Sequence, residues 1–254
     1  MPRFRCDAPQ HEGSGESAPR IADLVRAGRV RFGIFPPQYT KNTSGEPTGP
    51  WVEVMRALAA QMSLPPVFVE LATPAQLIEC LADGTCDLGS LGFDPARADR
   101  VGGFTPPFLQ VDYTCLVPAG STLQSVADVD RPRLRIAAVR EHASTLALGR
   151  IVKQAELVSA DTPDAAFELL RSGRADVWAS VRPALLDYAT KLAGSRVLDD
   201  SYGANFPALV VPKGKTERLA YVSAFVEQAK ASGLVQRAID RAGQAGYRVA
   251  APAT

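Results

Sequence analysis

Residues 73–91, TPAQLIECLADGTCDLGSL, and residues 162–180, TPDAAFELLRSGRADVWAS, align letter on letter without a gap. Each opens on Thr-Pro, carries apolar residues at helical spacing, breaks at a glycine and ends with an aspartate before an apolar run. Threonine suits a helix N-cap, proline the first helical position, and glycine the left-handed position past the helix end. A helix that feeds the chain straight into a buried strand is part of a β-α-β unit, which needs a parallel sheet covered by helices. A chain that does this twice reads as two α/β domains of like topology.

The flanking segments extend both copies. RVRFGIFPP (29–37) reads as a strand stopped by Pro-Pro, and GEPTGP (45–50) as a turn. WVEVMRALAAQMSL (51–64) reads as a helix ended at Pro65-Pro66, and PVFVEL (66–71) as a short strand. In the second copy, LRIAAV (134–139) and AELVSA (155–160) read as strands around a helix at HASTLALGRIVKQA (142–155), with Ser144 or a neighbour as its cap. VDYTCLVP (111–118) and FPALVVPKG (206–214) read as strands joining the halves. The first half then resumes, closing with helices at 218–233 and 234–243. The expected fold class is α/β: two lobes, each a mostly parallel sheet flanked by helices, joined by two hinge strands. The expected division is a disordered arm at 1–20, lobe 1 at 21–110 plus 209–254, and lobe 2 at 111–208. Ligand clefts of such proteins lie between domains, at the carboxyl ends of parallel strands.

Composition narrows the function classes. Lys+Arg number 28 against 27 Asp+Glu, so no excess charge points to nucleic acid or an anionic membrane. No apolar run approaches the roughly 20 residues of a spanning helix. The first twenty residues are polar and lack the apolar core of a secretory signal. Cytoplasmic residence, an upstream start and a removed export signal all stay open. Cys80 and Cys86 can form a disulfide in an oxidising compartment or stand as two apolar thiols. Two histidines, no C-x-x-C pair, no nucleophile elbow and no phosphate loop give no reason to expect a metal or cofactor.

In their order and spacing, RVRFGIFPP, GEPTGPWVEVMRALA, QLIECLADGTCDLGSLGFDPARADRVGGFTPPF, LRIAAVREHASTLA and AFELLRSGRADVWAS resemble the family-3 extracellular solute-binding proteins of ABC transporters. The likeness covers about residues 21–250. It implies the type II periplasmic binding fold and a monomer that closes on a small polar solute, often an amino acid. It implies a periplasmic location, a membrane permease as partner, and binding without catalysis. Two alternatives stand beside it: a dehydratase of the cyclohexadienyl or arogenate type on the same fold, and a cytoplasmic sensor.

The resemblance also implies a site. An arginine in the loop after the DLGSLG strand pairs with the ligand carboxylate in the family; Arg97 falls there, with Arg100 as rival. A guanidinium fork fits a carboxylate bidentately, while a surface pair with Asp94 or Asp99 is the structural alternative. The second lobe supplies a helix start whose amides bind the same group, here Ser144 and Thr145, preceded by Glu141 and His142 in place of the family's glycine turn. Family members that bind amino acids hold the ammonium with an aspartate at the position of Val181; this chain has no carboxylate there, and Arg182 follows. An acid without an amine therefore gains weight, unless Asp94, Glu141 or Asp161 substitutes. Phe35, Tyr39, Trp51 and Phe93 are candidate aromatic walls, with core packing the alternative for Trp51 and Phe93. Tyr202 and Asn205 precede the return crossing and are within reach of a cleft.

Overall fold

The computed structural model describes residues 21–36, 38–92, 100–140 and 142–252. The helices are α1 (Ala22–Ala27), α2 (Pro50–Gln61), α3 (Pro74–Ala82), α4 (Ala143–Ile151), α5 (Pro163–Arg171), α6 (Arg182–Ala189), α7 (Thr216–Ala231) and α8 (Leu234–Ala242). The first sheet contains β1 (Val30–Ile34), β4 (Pro66–Glu70), β5 (Leu88–Gly92), β6 (Gly103–Pro107) and β13 (Pro207–Val211), in the order β4-β1-β5-β13-β6. The second follows the order β11-β7-β10-β8-β9, built from β7 (Leu109–Val117), β8 (Arg135–Val139), β9 (Glu156–Ala160), β10 (Val177–Val181) and β11 (Arg196–Val197). Two further short strands, β12 (Gly203–Asn205) and β14 (Tyr247–Val249), also pair with β7. A separate hairpin joins β2 (Thr40–Lys41) to β3 (Pro47–Thr48).

Both sheets are mixed. β4, β1 and β5 are parallel, as are β9, β8 and β10, because a helix returns the chain between successive strands of each trio. β13 and β7 run antiparallel beside these trios. In β1, Val30, Phe32 and Ile34 face a core shared with Met55 and Leu58 of α2 and with Val222 and Phe225 of α7. Gly33 and Gly89 lie under α3, where a Cβ would meet Leu77 Cδ1 at 2.4 and 2.6 Å respectively. Glycine in these strands lets the helix approach the sheet.

The repeated grammar produces repeated bonds. Thr73 Oγ1 accepts the Gln76 N–H at 3.3 Å and Thr162 Oγ1 accepts the Ala165 N–H at 3.1 Å. Gly84 and Gly173 turn the chain at φ 77° and 70°. Past them, Cys86 N donates to Cys80 O at 2.8 Å and Ala175 N donates to Leu169 O at 2.9 Å. Cys80 and Cys86 form a disulfide, which decides between the two readings of that pair.

Other expectations need correction. α4 ends at Ile151, short of residue 155, because Asp130 draws off the next amides: Lys153, Gln154 and Ala155 N–H all donate to its carboxylate. At the N-cap of α4 stands His142, a neighbour of Ser144, and its side chain makes no capping bond. The arm at 1–20 lies outside the described residues. Strands β6, β11, β12 and β14 and helix α1 carry too little periodicity to be read locally.

Candidate functional site

The chain crosses from the first sheet to the second at Phe108, between β6 and β7, returns at Phe206, between β12 and β13, and reaches the second sheet once more at β14. The two passages touch: Phe108 N donates to Pro207 O at 3.0 Å. The parallel strands end beside them. A Cβ on Gly92, the last residue of β5, would fall 2.2 Å from Asn205 Oδ1. Val181, the last residue of β10, packs against the first lobe's core cluster. The carboxyl ends of β5 and β10 therefore converge on the crossings, where a cleft between lobes has its floor.

The start of α4 stands at the carboxyl end of β8. Its first intrahelical bond is Leu146 N to His142 O at 2.9 Å. The N–H groups of Ala143, Ser144 and Thr145 find no acceptor among the described residues, and no side chain caps them. This differs from α3 and α5, whose threonines cap them. Thr145 Oγ1 donates to Val139 O at 2.7 Å and ties the helix to its strand. Tyr202 donates its hydroxyl to Ser144 O at 3.3 Å, and Ser144 is buried. Burial pushes the Tyr202 phenol well above its ordinary range, so it stays a donor at physiological pH. His142 keeps an exposed edge, and the protein packed around the rest of it lowers the imidazole from its ordinary 6.5. An uncapped helix start with its positive dipole end is an anion-binding arrangement.

Other candidates have different occupations. Phe35 is buried in the cluster of Leu77, Ile78 and Leu91, so its ring packs rather than forming a wall. Trp51 is buried in the first core and meets Tyr247 edge-on at 5.2 Å, the packing alternative for that residue. Tyr39 donates to Glu70 at 2.8 Å, where Lys41 also pairs. Asp161 is exposed and bound to Arg140 at 3.0 Å. Arg182 adds no free charge: its guanidinium donates to the carbonyls of Leu198, Asp199 and Asp200 at 2.8–3.0 Å and lies 3.7 Å from Asp112. Arg100 is exposed. Arg97, Phe93, Asp94, Asp99 and Glu141 lie outside the described residues.

Gln38 escaped the sequence reading. It is buried, its Nε2 donates to Ser90 O at 2.7 Å, and its Oε1 accepts Phe35 N at 3.4 Å. It braces the turn after β1 against β5; a glutamine directly after Pro-Pro was the available signal. An apolar hollow of about 280 Å³ lies along the body of α4, between Val126, Val129, Leu148 and Tyr202, away from the helix start. Among the described residues no cluster of three or more His, Cys, Asp or Glu could hold a metal, and no helix is long and apolar enough to cross a membrane.

Two α/β lobes, each a mixed sheet flanked by helices and joined at paired crossings, have the type II periplasmic binding fold. Residues 31–244 match the family model of the bacterial extracellular solute-binding proteins, family 3, and the chain belongs to that family. Solved structures agree on the fold. A binding component of an ABC transporter from Wolinella succinogenes, complexed with lysine, is 24% identical, with 84% of this chain and 95% of that one covered and a TM-score of 0.71. The solute receptor for L-cysteine of Neisseria gonorrhoeae is 22% identical, covering 87% and 92%, with a TM-score of 0.67. An ancestral amino acid-binding protein, a precursor of cyclohexadienyl dehydratase, is 22% identical over 87% and 97%, with a TM-score of 0.68. No curated protein matches the chain.

Proposed function

We propose that this chain is the solute-binding component of an ABC uptake system, and that its lobes close on a small carboxylate-bearing solute. The observation that carries the reading is the start of α4, where the amides of Ala143, Ser144 and Thr145 find no acceptor among the described residues. A carboxylate there accepts hydrogen bonds at the positive end of the helix. From the other lobe, Arg97 supplies a bidentate guanidinium, and closure strengthens that pair by excluding water. The lobes are taken as 21–110 with 209–254, and 111–208.

Val181 offers no anion to an ammonium, and Asp161 is already engaged by Arg140. The solute is then an acid without an amine, or an amino acid whose ammonium is met by Asp94 or Glu141. The Cys80–Cys86 disulfide fits an extracytoplasmic protein. The protein acts as a monomer, and the closed lobe pair is what a membrane permease reads.

A thermal-shift screen over amino acids, dicarboxylates and aromatic acids tests the reading. A ligand that binds only the folded state raises its melting temperature. Arg97→Ala is expected to abolish the shift; an unchanged shift removes the carboxylate assignment. The structural likeness to a dehydratase precursor motivates a second reading, tested by incubation with prephenate and arogenate. Turnover would replace binding by dehydration as the function.

A further inference from the structure

Two hinge strands were expected, and a third lies on them. β14 pairs with the start of β7 in the register Tyr247–Val111, Arg248–Gln110 and Val249–Leu109, and Ala250 N donates to Phe108 O at 3.2 Å. This ladder covers the residues through which the chain leaves the first sheet for the second.

Successive residues of this segment grip different lobes. At Gly246, φ 93°, a Cβ would stand 3.0 Å from Pro183 N and 3.1 Å from both Arg182 Cγ and Leu186 Cδ1, so the backbone rests on the start of α6 in the second lobe. Tyr247 packs edge-on against Trp51 of α2 in the first lobe. Arg248 donates to Asp112 Oδ1 at 2.7 Å. Asp112 is buried, accepts Gln110 Nε2 at 2.9 Å, and faces Arg182 of the second lobe. Past the strand, Lys230 Nζ of α7 donates to Ala251 O at 2.9 Å. One short strand is thus held by Trp51 and α7 on one side, and by α6 and the Asp112 pair on the other.

We propose that β14 is a strap across the hinge, and that the Arg248–Asp112 pair limits how far the lobes open. Bending at Phe108–Val111 must carry β14 along or break its ladder. Carrying it along drags Tyr247 off Trp51 or Gly246 off α6. A tether of this kind narrows the range of lobe angles before any solute arrives. The inference concerns the fold alone and holds whichever solute binds.

The test needs no ligand. In a Cys6→Ser background, spin labels on A60C (α2) and R150C (α4) report the inter-lobe distance by double electron–electron resonance. Both positions are exposed. The R248Q and Y247A variants are expected to shift the distance distribution to longer values and greater width. R171Q, which breaks an exposed ion pair with Glu168 inside the second lobe, is expected to leave it unchanged. Circular dichroism checks that each variant is folded. If either folded strap variant keeps the parent distribution, or if R171Q broadens it equally, the strap is refuted. Solute binding plays no part in the readout, so failure of the functional proposal is a separate result.

Discussion

Asp87 and Asp176 occupy matching places in the two repeats, and each clamps an arginine of its lobe's central parallel strand. Asp87 accepts the backbone N–H and guanidinium of Arg31 at 2.8–2.9 Å; Asp176 does the same with Arg135 at 2.8–3.1 Å. Their surroundings differ. The Asp87 side chain is 10% exposed and lies by Arg218, itself 4% exposed, whereas Asp176 is 42% exposed. Asp87→Ala removes three hydrogen bonds from Arg31 in a nearly buried place, while Arg218 keeps Asp23 at 2.6 Å, and is expected to cost about 2 kcal/mol. Asp176→Ala, discounted for solvent, costs about 1 kcal/mol. Urea unfolding at pH 7 measures both, and equal losses would contradict the account. The Arg135 guanidinium holds the Asp176 carboxyl below its ordinary 3.8. A depressed acid contributes stability above its unfolded pKa and loses it as pH falls through the folded value. The Asp176→Ala deficit should therefore fade only below about pH 4. The threonine caps at 73 and 162 were legible in the residues themselves. The burial of Phe35 was not, because the face of a strand end depends on the helix laid over it.

Among elements, the two helix-to-strand turns offer an internal control. Both close with the same backbone bond, from Cys86 to Cys80 and from Ala175 to Leu169, but only the first carries a disulfide. The unbridged turn demonstrates that the geometry forms without covalent help. Reduction is therefore expected to leave the fold intact while costing about 2 kcal/mol, the chain-entropy value for so short a loop. A thermal melt with and without reductant should differ by roughly 4–8 °C. Loss of native circular dichroism on reduction, or an identical melting point, would refute this. Most helices and the six parallel strands were legible because periodicity and capping act within a few residues. The overrun of α4 came from Asp130, which stops the helix from a distant stretch of chain.

Over the whole molecule, the larger core cluster does not respect the lobe division. It gathers Phe108, Leu109 and Val111 of the first crossing together with Trp51, Leu209 and Phe225, and Val181 and Tyr247 pack against it. Melting either lobe exposes part of the other's core. Calorimetry is expected to show one endotherm, with equal calorimetric and van't Hoff enthalpies. Two resolved endotherms would mean that the crossings insulate the lobes.

By itself the sequence determined the two α/β halves, their caps and turns, the crossings and the likeness to family-3 binding proteins. All of these are written in residue order and spacing. Tertiary structure alone decided that β14 lies over the hinge, that Arg182 is consumed by carbonyls, that Trp51 is packed away, and that the first amides of α4 find no acceptor among the described residues. Those outcomes depend on which distant groups reach one another in space, and a polar side chain carries no local mark of the partner that will satisfy it.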